Sequence, residues 1–278
     1  MEPAARRAFL RAVDAVKRQV DLDVLETALR TGEVSRVEAA LLLDRLPEAL
    51  RAQIRPVVGA ALNLGAEAGR EALRGTPAFA VDFARTNPAA VAWANQHAGT
   101  LVTEIAESTR LGVRALVTVS QSEGRSVTWL ARELREVIGL HSRQVTAVER
   151  FRERLVGQGL DDVTVARRAE RYANAQLKSR AETVARSEVL QSSSEGQRRL
   201  WDAAADQGLL DRAETRRIWL ATDDDLTDVE ICEPMADVET DDLDAPWTLP
   251  DGRQVMIPNA AHPRCRCSAG LVFGERTS

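Results

Sequence analysis

The sequence is poor in aromatic side chains: they make up 4% of its 278 residues, as five Trp, five Phe and one Tyr. Aromatic and β-branched residues are the usual material of β-sheets, so this shortage argues against an aromatic-rich β-sandwich. Hydrophobic residues still make up 44% of the chain. The composition therefore predicts a core of Ala, Leu and Val, as helical proteins prefer.

Long apolar runs are also missing. No stretch reaches the roughly 18 uninterrupted apolar residues of a transmembrane helix, and residues 1–10 lack the apolar segment of a secretory signal peptide. Cys232, Cys265 and Cys267 are the only cysteines, and three thiols in so long a chain do not suggest a disulfide framework. We therefore expect a reduced, intracellular setting with no membrane association.

Signatures of catalysis are absent as well. The chain has three histidines, His97, His141 and His262, and no Gly-x-Ser-x-Gly, His-Glu-x-x-His or phosphate-cradling glycine-rich loop. The sequence therefore predicts a protein that is not an enzyme.

Net charge is small and unevenly spread. The formal value of −5 disfavours a generally basic nucleic-acid binder. Residues 1–120 hold 15 basic and 14 acidic groups, residues 121–200 hold 15 and 11, and residues 201–278 hold 7 and 17. Because charge and structural pattern both change just after residue 200, we predict two domains, residues 1–208 and 209–278.

Residues 1–208 have the three-to-four-residue apolar spacing of amphipathic helices. Gly32 provides a stop signal, Asn87 and Pro88 a start signal, and Ser35, Ser126 and Ser142 are the predicted caps of later helices. Pro47 and Pro56 are expected to divide the segment 36–74. The predicted helices cover residues 4–20, 22–30, two or more pieces of 36–74, 89–119, 127–138, 143–156, and 163–206 as one or two helices.

The last 70 residues have a different pattern. Residues 217–222, 253–257 and 269–273 are three strand candidates, and residues 249–252 have the Leu-Pro-Asp-Gly composition of a tight turn. The predicted fold class is therefore mainly α, with a long helical N-terminal domain followed by a small α+β C-terminal module with acidic loops.

Candidate metal ligands are concentrated in this module. His262, Cys265 and Cys267 lie within six residues, and Cys232 would complete a Cys₃His set of the kind that binds tetrahedral Zn²⁺. Two alternatives stay open: the thiols are small buried hydrophobes, or two of them form a disulfide. The aspartates are a second candidate, as oxygen ligands of a hard cation, against the alternative of a solvated acidic loop. They are Asp223, Asp224, Asp225 and Asp228.

Six arginines lie close together in the basic middle of the chain. They are Arg150, Arg152, Arg154, Arg167, Arg168 and Arg171. Such a group can contact DNA phosphates. The alternative is an ordinary solvated helix face, in which the arginines pair with Glu149, Glu153 and Glu170 at helical spacing.

The C-terminal order of motifs resembles the phage head morphogenesis family, the Mu F-like minor head proteins. The resemblance begins in residues 180–188 and continues through Trp201, the Trp219 strand, the Cys232 loop and the closing His-Pro-Arg-Cys-Arg-Cys, which is its most specific element. It covers roughly residues 90–273. In one respect the chain departs from the family: Val229 stands where members often carry the first cysteine of a Cys-x-x-Cys pair. Either His262 or another donor replaces that thiolate, or the metal site is lost.

The resemblance implies a low-copy structural component of the phage head, associated with the portal vertex and capsid interior and acting in assembly, DNA packaging or ejection. The implied partners are the portal protein, major capsid or scaffold proteins and packaged DNA. The implied locations are the virion and, during assembly, the host cytoplasm. The apolar stripes of the long N-terminal helices are the expected docking surface.

Four residues in the matching region are assigned structural roles. Arg186 and Glu188 are expected to fix packing between the two domains, and Trp201 and Trp219 are assigned a structural role. Two alternative functions are kept: a DNA-contacting internal virion protein, and a metal-dependent enzyme using His262, Cys265 and Cys267. The second would need a general base from residues 223–225 or Glu230.

Overall fold

The computed structural model describes residues 1–71, 73, 87–122, 125–222 and 224–274. These residues form eight α-helices followed by four short strands, so the predicted fold class is confirmed. The helices are α1 (Glu2–Lys17), α2 (Leu22–Thr31), α3 (Val34–Ala40), α4 (Leu46–Glu71), α5 (Pro88–Ser122), α6 (Val127–Val137), α7 (Ser142–Gly157) and α8 (Asp162–Asp206). The strands are β1 (Arg216–Leu220), β2 (Trp247–Thr248), β3 (Gln254–Val255) and β4 (Ser268–Val272).

Local signals set most of the helix ends. Gly32 follows α2 with a φ of 72°, a left-handed conformation that glycine adopts without strain. The Asn87 side chain accepts a hydrogen bond from the Ala90 amide at 3.1 Å. The Ser126 hydroxyl accepts one from the Trp129 amide at 3.2 Å. The stop at Gly32 and the two caps are therefore confirmed.

Two predicted caps are wrong by one or two residues. The chain turns into α3 at Glu33, and Ser35 lies inside the first turn of that helix. At α7 the cap is His141, whose ring nitrogen accepts from the Gln144 amide while the Gln144 side chain accepts from the His141 amide. Because a glutamine stands three residues after His141, the reciprocal pairing forms there and not at Ser142.

Proline does not divide the segment 36–74, whose last residue lies outside the described ranges. Pro47 is the second residue of α4, where the missing amide costs nothing, and Pro56 lies inside the same helix. The division comes earlier, at Leu42, which has a φ of 56° and precedes a 3₁₀ turn at Leu43–Arg45. Segment 163–206 is one helix, α8.

The chain divides into two compact units. One comprises residues 1–2, 55–96 and 183–278, and the other comprises residues 3–54 and 97–182. The predicted boundary at residue 208 lies two residues after the end of α8 at Asp206, where the chain changes from helix to strand. No helix in the described part of the chain combines the length and apolarity needed to cross a membrane.

In the first unit, α4 and α8 touch backbone to backbone. A Cβ atom added at Gly65 would lie 1.7 Å from the Ser193 carbonyl oxygen, and one added at Gly196 would lie 2.0 Å from the Leu62 carbonyl oxygen. Only glycine permits so close an approach. Nearby, the Trp201 indole donates a hydrogen bond to the Gly69 carbonyl at 3.2 Å.

The strands of the C-terminal module form two small antiparallel pairs. β1 pairs with β4, from Arg216 opposite Val272 to Leu220 opposite Ser268. β2 pairs with β3 through two residues each. The first and third strand candidates are confirmed to within one or two residues at each end. The second shortens to β3, and its partner β2 was not predicted.

Three tryptophans form the centre of the module's core. Trp201 comes from α8, Trp219 from β1 and Trp247 from β2, and the rings of Trp219 and Trp247 meet edge to face at 5.6 Å. The Arg217 guanidinium lies over the Trp247 ring at 4.6 Å. It donates to the carbonyls of Met256, at 2.6 Å, and Ala245. Burial lowers the pKa of Arg217 to about 10.

Candidate metal centre

Cys232 is positioned by a turn that Asp228 organises. The Asp228 carboxylate accepts hydrogen bonds from the amides of Glu230, at 3.1 Å, and Ile231, at 2.8 Å. The Cys232 amide donates to the Asp228 carbonyl at 2.9 Å. An aspartate that binds the amides two and three residues ahead is a common turn former, and here the turn directs the Cys232 thiol into the core.

His262 and Cys265 belong to a second tight turn. The Cys265 amide donates to the His262 carbonyl at 3.3 Å, and Arg264 adopts a φ of 65° to close the turn. The Arg264 amide donates to the Ser187 hydroxyl of α8 at 3.0 Å. The turn therefore places His262 and Cys265 on the same side of the loop, and α8 fixes its position.

The two turns bring three of the four predicted ligands together. The distance from the Cys232 Sγ to the His262 Nε2 is 3.0 Å, and that from the Cys232 Sγ to the Cys265 Sγ is 3.8 Å. All three candidate ligand atoms lie within 4.8 Å of one another. With Zn–S and Zn–N bonds of about 2.3 and 2.0 Å, ligand atoms around tetrahedral zinc have similar separations. The group could hold a metal ion.

The imidazole of His262 is oriented as a metal ligand. Its Nδ1 lies 3.0 Å from the Pro263 carbonyl oxygen, which can only accept, so Nδ1 carries the proton in this bond. The Nε2 lone pair is then directed at Cys232. A backbone carbonyl on the second ring nitrogen is the usual support of a metal-bound histidine.

Cys267 lies outside this group of three. Its thiol interacts with that of Cys265, and this hydrogen bond lowers the pKa of Cys267 to about 5. The same bond, together with burial, raises the pKa of Cys265. Burial also raises the pKa of Cys232, to about 12. All three cysteines are free thiols, so the disulfide alternative is not observed.

The Asn259 side chain binds the backbone of the loop that carries Cys265 and Cys267. Its buried side-chain amide donates to the carbonyls of Cys265, at 2.7 Å, and Cys267, at 2.9 Å. Its side-chain oxygen accepts from the Ser194 hydroxyl of α8. The sequence offers little to single out this asparagine, because its partners are backbone atoms and one distant hydroxyl.

The aspartates of the acidic loop that the structure describes, Asp224, Asp225 and Asp228, do not converge as cation ligands. Asp224 pairs through both oxygens with the guanidinium of Arg266, and Asp228 is used by the turn described above. Asp223 lies outside the described residues. Within the part of the chain that the structure describes, no group of carboxylates converges as metal ligands, and the one converging group is Cys232, His262 and Cys265.

No family model, curated protein or solved structure matches the chain. The site is therefore interpreted from its own donor set and geometry.

One of the six predicted DNA-binding arginines is inaccessible to DNA. The Arg152 side chain is 2% exposed, where it pairs with Glu133 and with Glu149 at 3.6 Å and lies over the Trp129 ring at 4.9 Å. The prediction is wrong for this residue because α6 supplies buried partners that the local sequence does not reveal. Burial, together with the charges of Glu149 and Glu136, outweighs Arg152 and raises the pKa of Glu133 to about 7.

The other five arginines are exposed on α7 and α8. Phe151 of α7 stacks on Tyr172 of α8 at 4.6 Å, so the two helices lie side by side here. Among the described residues, no carboxylate lies within ion-pair distance of these five guanidinium groups. Of the pairing expected with Glu149, Glu153 and Glu170, only that of Arg152 with Glu149 is observed in the described part of the chain. The five are Arg150, Arg154, Arg167, Arg168 and Arg171.

The four residues assigned structural roles have different surroundings. Trp201 and Trp219 are buried in the module core. Arg186 is half-exposed and donates to the Glu2 carboxylate at 3.2 Å, a partner in the helical region and not in the strand module. Glu188 is buried.

Proposed function

We propose that this protein is a low-copy minor head protein of a tailed phage, acting at the portal vertex in head assembly, DNA packaging or ejection. The observation that supports the proposal is the fold of the closing His-Pro-Arg-Cys-Arg-Cys segment. Its His262 and Cys265 meet Cys232 in one compact cluster at the end of a mainly helical chain. The cluster gives the histidine and cysteine of the family-like motif a common structural role.

In this proposal the cluster binds Zn²⁺ as a structural clip. Two thiolates and one imidazole are the donors that zinc prefers, and no oxygen donor belongs to the group. Cys267, two residues after Cys265, is the remaining thiol of the region and the candidate fourth ligand. The metal would join two turns that lie 30 residues apart, where the described strands are too short to hold the loops alone.

The same geometry supports a role without catalysis. Asp224 is engaged by Arg266, and Asp228 by backbone amides, so neither is placed as a general base beside the thiols. Glu230 is exposed. A structural clip requires only the ligands and firm support behind them, which Asn259 and the Pro263 carbonyl supply.

Elemental analysis of the full-length protein tests the metal. We expect about one zinc ion per chain, lost in the variant Cys232→Ser and in His262→Ala. His97→Ala is the matched control, because it removes a histidine outside the cluster. Protein that is folded by circular dichroism and holds no transition metal after purification with zinc present would contradict the clip.

Analysis of phage particles tests the head function. Proheads purified from an infection should contain the chain at a few copies per particle by quantitative mass spectrometry, and a nonsense mutation in its gene should lower the yield of infectious particles. Proheads that lack the chain while other head proteins are present would overturn the proposal, whatever the result for zinc.

A second role, contact with packaged DNA, is favoured by the five exposed arginines without acidic partners on α7 and α8. Binding of a 30-base-pair duplex by fluorescence anisotropy should weaken steeply with salt, and the slope should fall by about 0.9 for each phosphate that the protein no longer neutralises. The test variant changes all five to Gln. Changing Arg51 and Arg55, which are also exposed, is the control. Equal binding by test and control variants would remove this role.

A further inference from the structure

A cleft in the second compact unit is lined by α1, the end of α6 and the first half of α8, and it has no part in the functions proposed above. Its volume is about 480 Å³, within the range of small-molecule sites. Its apolar wall comes from Leu10, Val13, Val20 and Leu177. Such a combination of size and lining suits a small organic ligand.

The polar side of the cleft carries more positive than negative groups. Four cations line it, Arg11, Lys17, Arg18 and Arg135, against two carboxylates, Asp14 and Glu136.

Both carboxylates are already used. Asp14 pairs with Arg18 at 2.5 Å, and Glu136 is shared between Arg135, at 3.2 Å, and Lys17, at 3.7 Å. The Arg11 guanidinium donates to the neutral amide of Gln53 at 3.1 Å. Two positive charges are thus left without a carboxylate of their own.

Lys17 is the group that most needs an anion. Its side chain is 13% exposed, and its ammonium donates to the Glu136 carbonyl at 2.6 Å. Burial lowers its pKa, because desolvation outweighs the attraction of Glu136. A buried cation that shares its carboxylate is stabilised by any further negative charge placed beside it.

We propose that this cleft binds a small phosphate monoester, with the phosphate on the cationic side that Lys17 and Arg11 help to form and the ester group against Leu10, Val20 and Leu177. A phosphate monoester is close to a dianion at neutral pH, which matches the two unneutralised charges. Arginine and lysine are the usual phosphate donors. The apolar wall favours an ester over inorganic phosphate. The inference is independent of the phage-head proposal.

Because the chain has few lysines, ligand binding at Lys17 can be followed by NMR of the lysine side chains. The chain has two lysines, Lys17 and Lys178, and Lys178 is exposed on α8 outside the cleft lining. Full-length protein labelled with ¹³C-lysine gives two side-chain sets of NMR signals, which Lys17→Met and Lys178→Met assign. Titration with phenyl phosphate should move the Lys17 signal and leave the Lys178 signal in place.

Affinity measurements supply the controls. Phenyl phosphate should bind more tightly than inorganic phosphate, and benzyl alcohol should not bind. Arg11→Gln and Lys17→Met should each weaken phenyl phosphate about tenfold or more, the expected effect of removing one charge-assisted hydrogen bond. Lys178→Met should bind as the unchanged protein does.

Three outcomes would overturn the proposal: no movement of the Lys17 signal at about 10 mM phenyl phosphate, equal binding of inorganic phosphate, or undiminished binding by Arg11→Gln. Because Arg11 is exposed, its variant keeps the test valid if Lys17→Met does not fold.

Discussion

The helices and the C-terminal module satisfy their backbone hydrogen bonds in different ways. In α1 to α8 the carbonyls and amides pair within each helix, so the core needs only apolar spacing and side-chain packing. After Gly208 the strands are short, and buried side chains must serve the loop carbonyls. Arg217 binds Met256 and Ala245, and Asn259 binds Cys265 and Cys267.

This difference predicts which substitutions destabilise each region. A helix face tolerates many substitutions, because most of its backbone groups are paired within the helix. In the module one polar side chain can serve two carbonyls, and its removal leaves both without a partner in the core. We therefore expect substitution of a single buried polar residue to lower the stability of the module strongly. In the helices we expect the largest losses of stability where two backbones are in contact.

The largest effect should come from Arg217→Met, which keeps the apolar stem and removes the donors. The carbonyls of Met256 and Ala245 lose their partner and Trp247 loses the stacked cation, so we expect a decrease of about 4 kcal/mol in unfolding free energy. Urea unfolding measures it. Arg51→Met, at an exposed position of α4, should change stability by less than about 0.5 kcal/mol. Equal changes in unfolding free energy for the two variants would contradict the expected difference between the module and the helices.

Gly65→Ala should be the costliest small change among the helices. Its Cβ would meet the Ser193 carbonyl of α8, so the helices must separate, at a cost of about 3 kcal/mol. Gly59→Ala, six residues earlier in α4 with no atom within 4 Å of the new Cβ, should gain up to about 1 kcal/mol. Thermal unfolding followed by circular dichroism distinguishes them, and a stable Gly65→Ala protein would show that the two backbones are loosely packed.

A pH dependence should come from Glu133, a carboxylate of the helical region whose side chain is 12% exposed. Its pKa of about 7 in the folded chain lies above the ordinary 4.5, so folding takes up a proton and favours low pH. This stability, about 3 kcal/mol, is fully present below pH 4.5 and lost as the pH rises through 7. Glu133→Gln should flatten that part of the stability profile, while exposed Glu153→Gln should not. An unchanged slope in Glu133→Gln would assign it to other groups.

The smallest expected change in stability compares Ser126, an observed helix cap, with Ser142, a predicted cap that the structure does not use. Ser126→Ala removes the acceptor of the Trp129 amide and should cost about 1 kcal/mol. Ser142→Ala should be neutral within about 0.5 kcal/mol, because His141 caps α7. Chemical unfolding of both variants measures this, and the reverse order would restore Ser142 as the cap.

Local signals explain why the helices could be predicted. Periodic apolar residues fix which face of a helix is buried, and glycine, asparagine or serine at the ends acts within a few residues of itself. The errors at Ser35 and Ser142 are also local, since neighbouring positions compete for the same unpaired amides. Pro56 shows the limit, because tertiary packing can keep a helix continuous through a proline.

Long-range pairing explains what was missed. β2 has two residues, too few to show alternation, and it exists because β3 pairs with it. The thiols and His262 could be grouped from their clustering, but Asn259 carries no sequence signal for its role. Arg152 is indistinguishable from its neighbours in sequence, and it is Glu133 of another helix that encloses it. In each case the deciding partner lies on a separate turn, strand or helix.

The three tryptophans of the module core give the protein a built-in optical probe. Trp201, Trp219 and Trp247 are three of the five in the chain, and all are nearly inaccessible to water. Their fluorescence should therefore be blue-shifted in the folded protein and should turn red as this core opens. The far-ultraviolet dichroism comes mostly from the helices. On one unlabelled sample, the dichroism therefore reports mainly on the helices, and the fluorescence change of these three tryptophans reports on the module core.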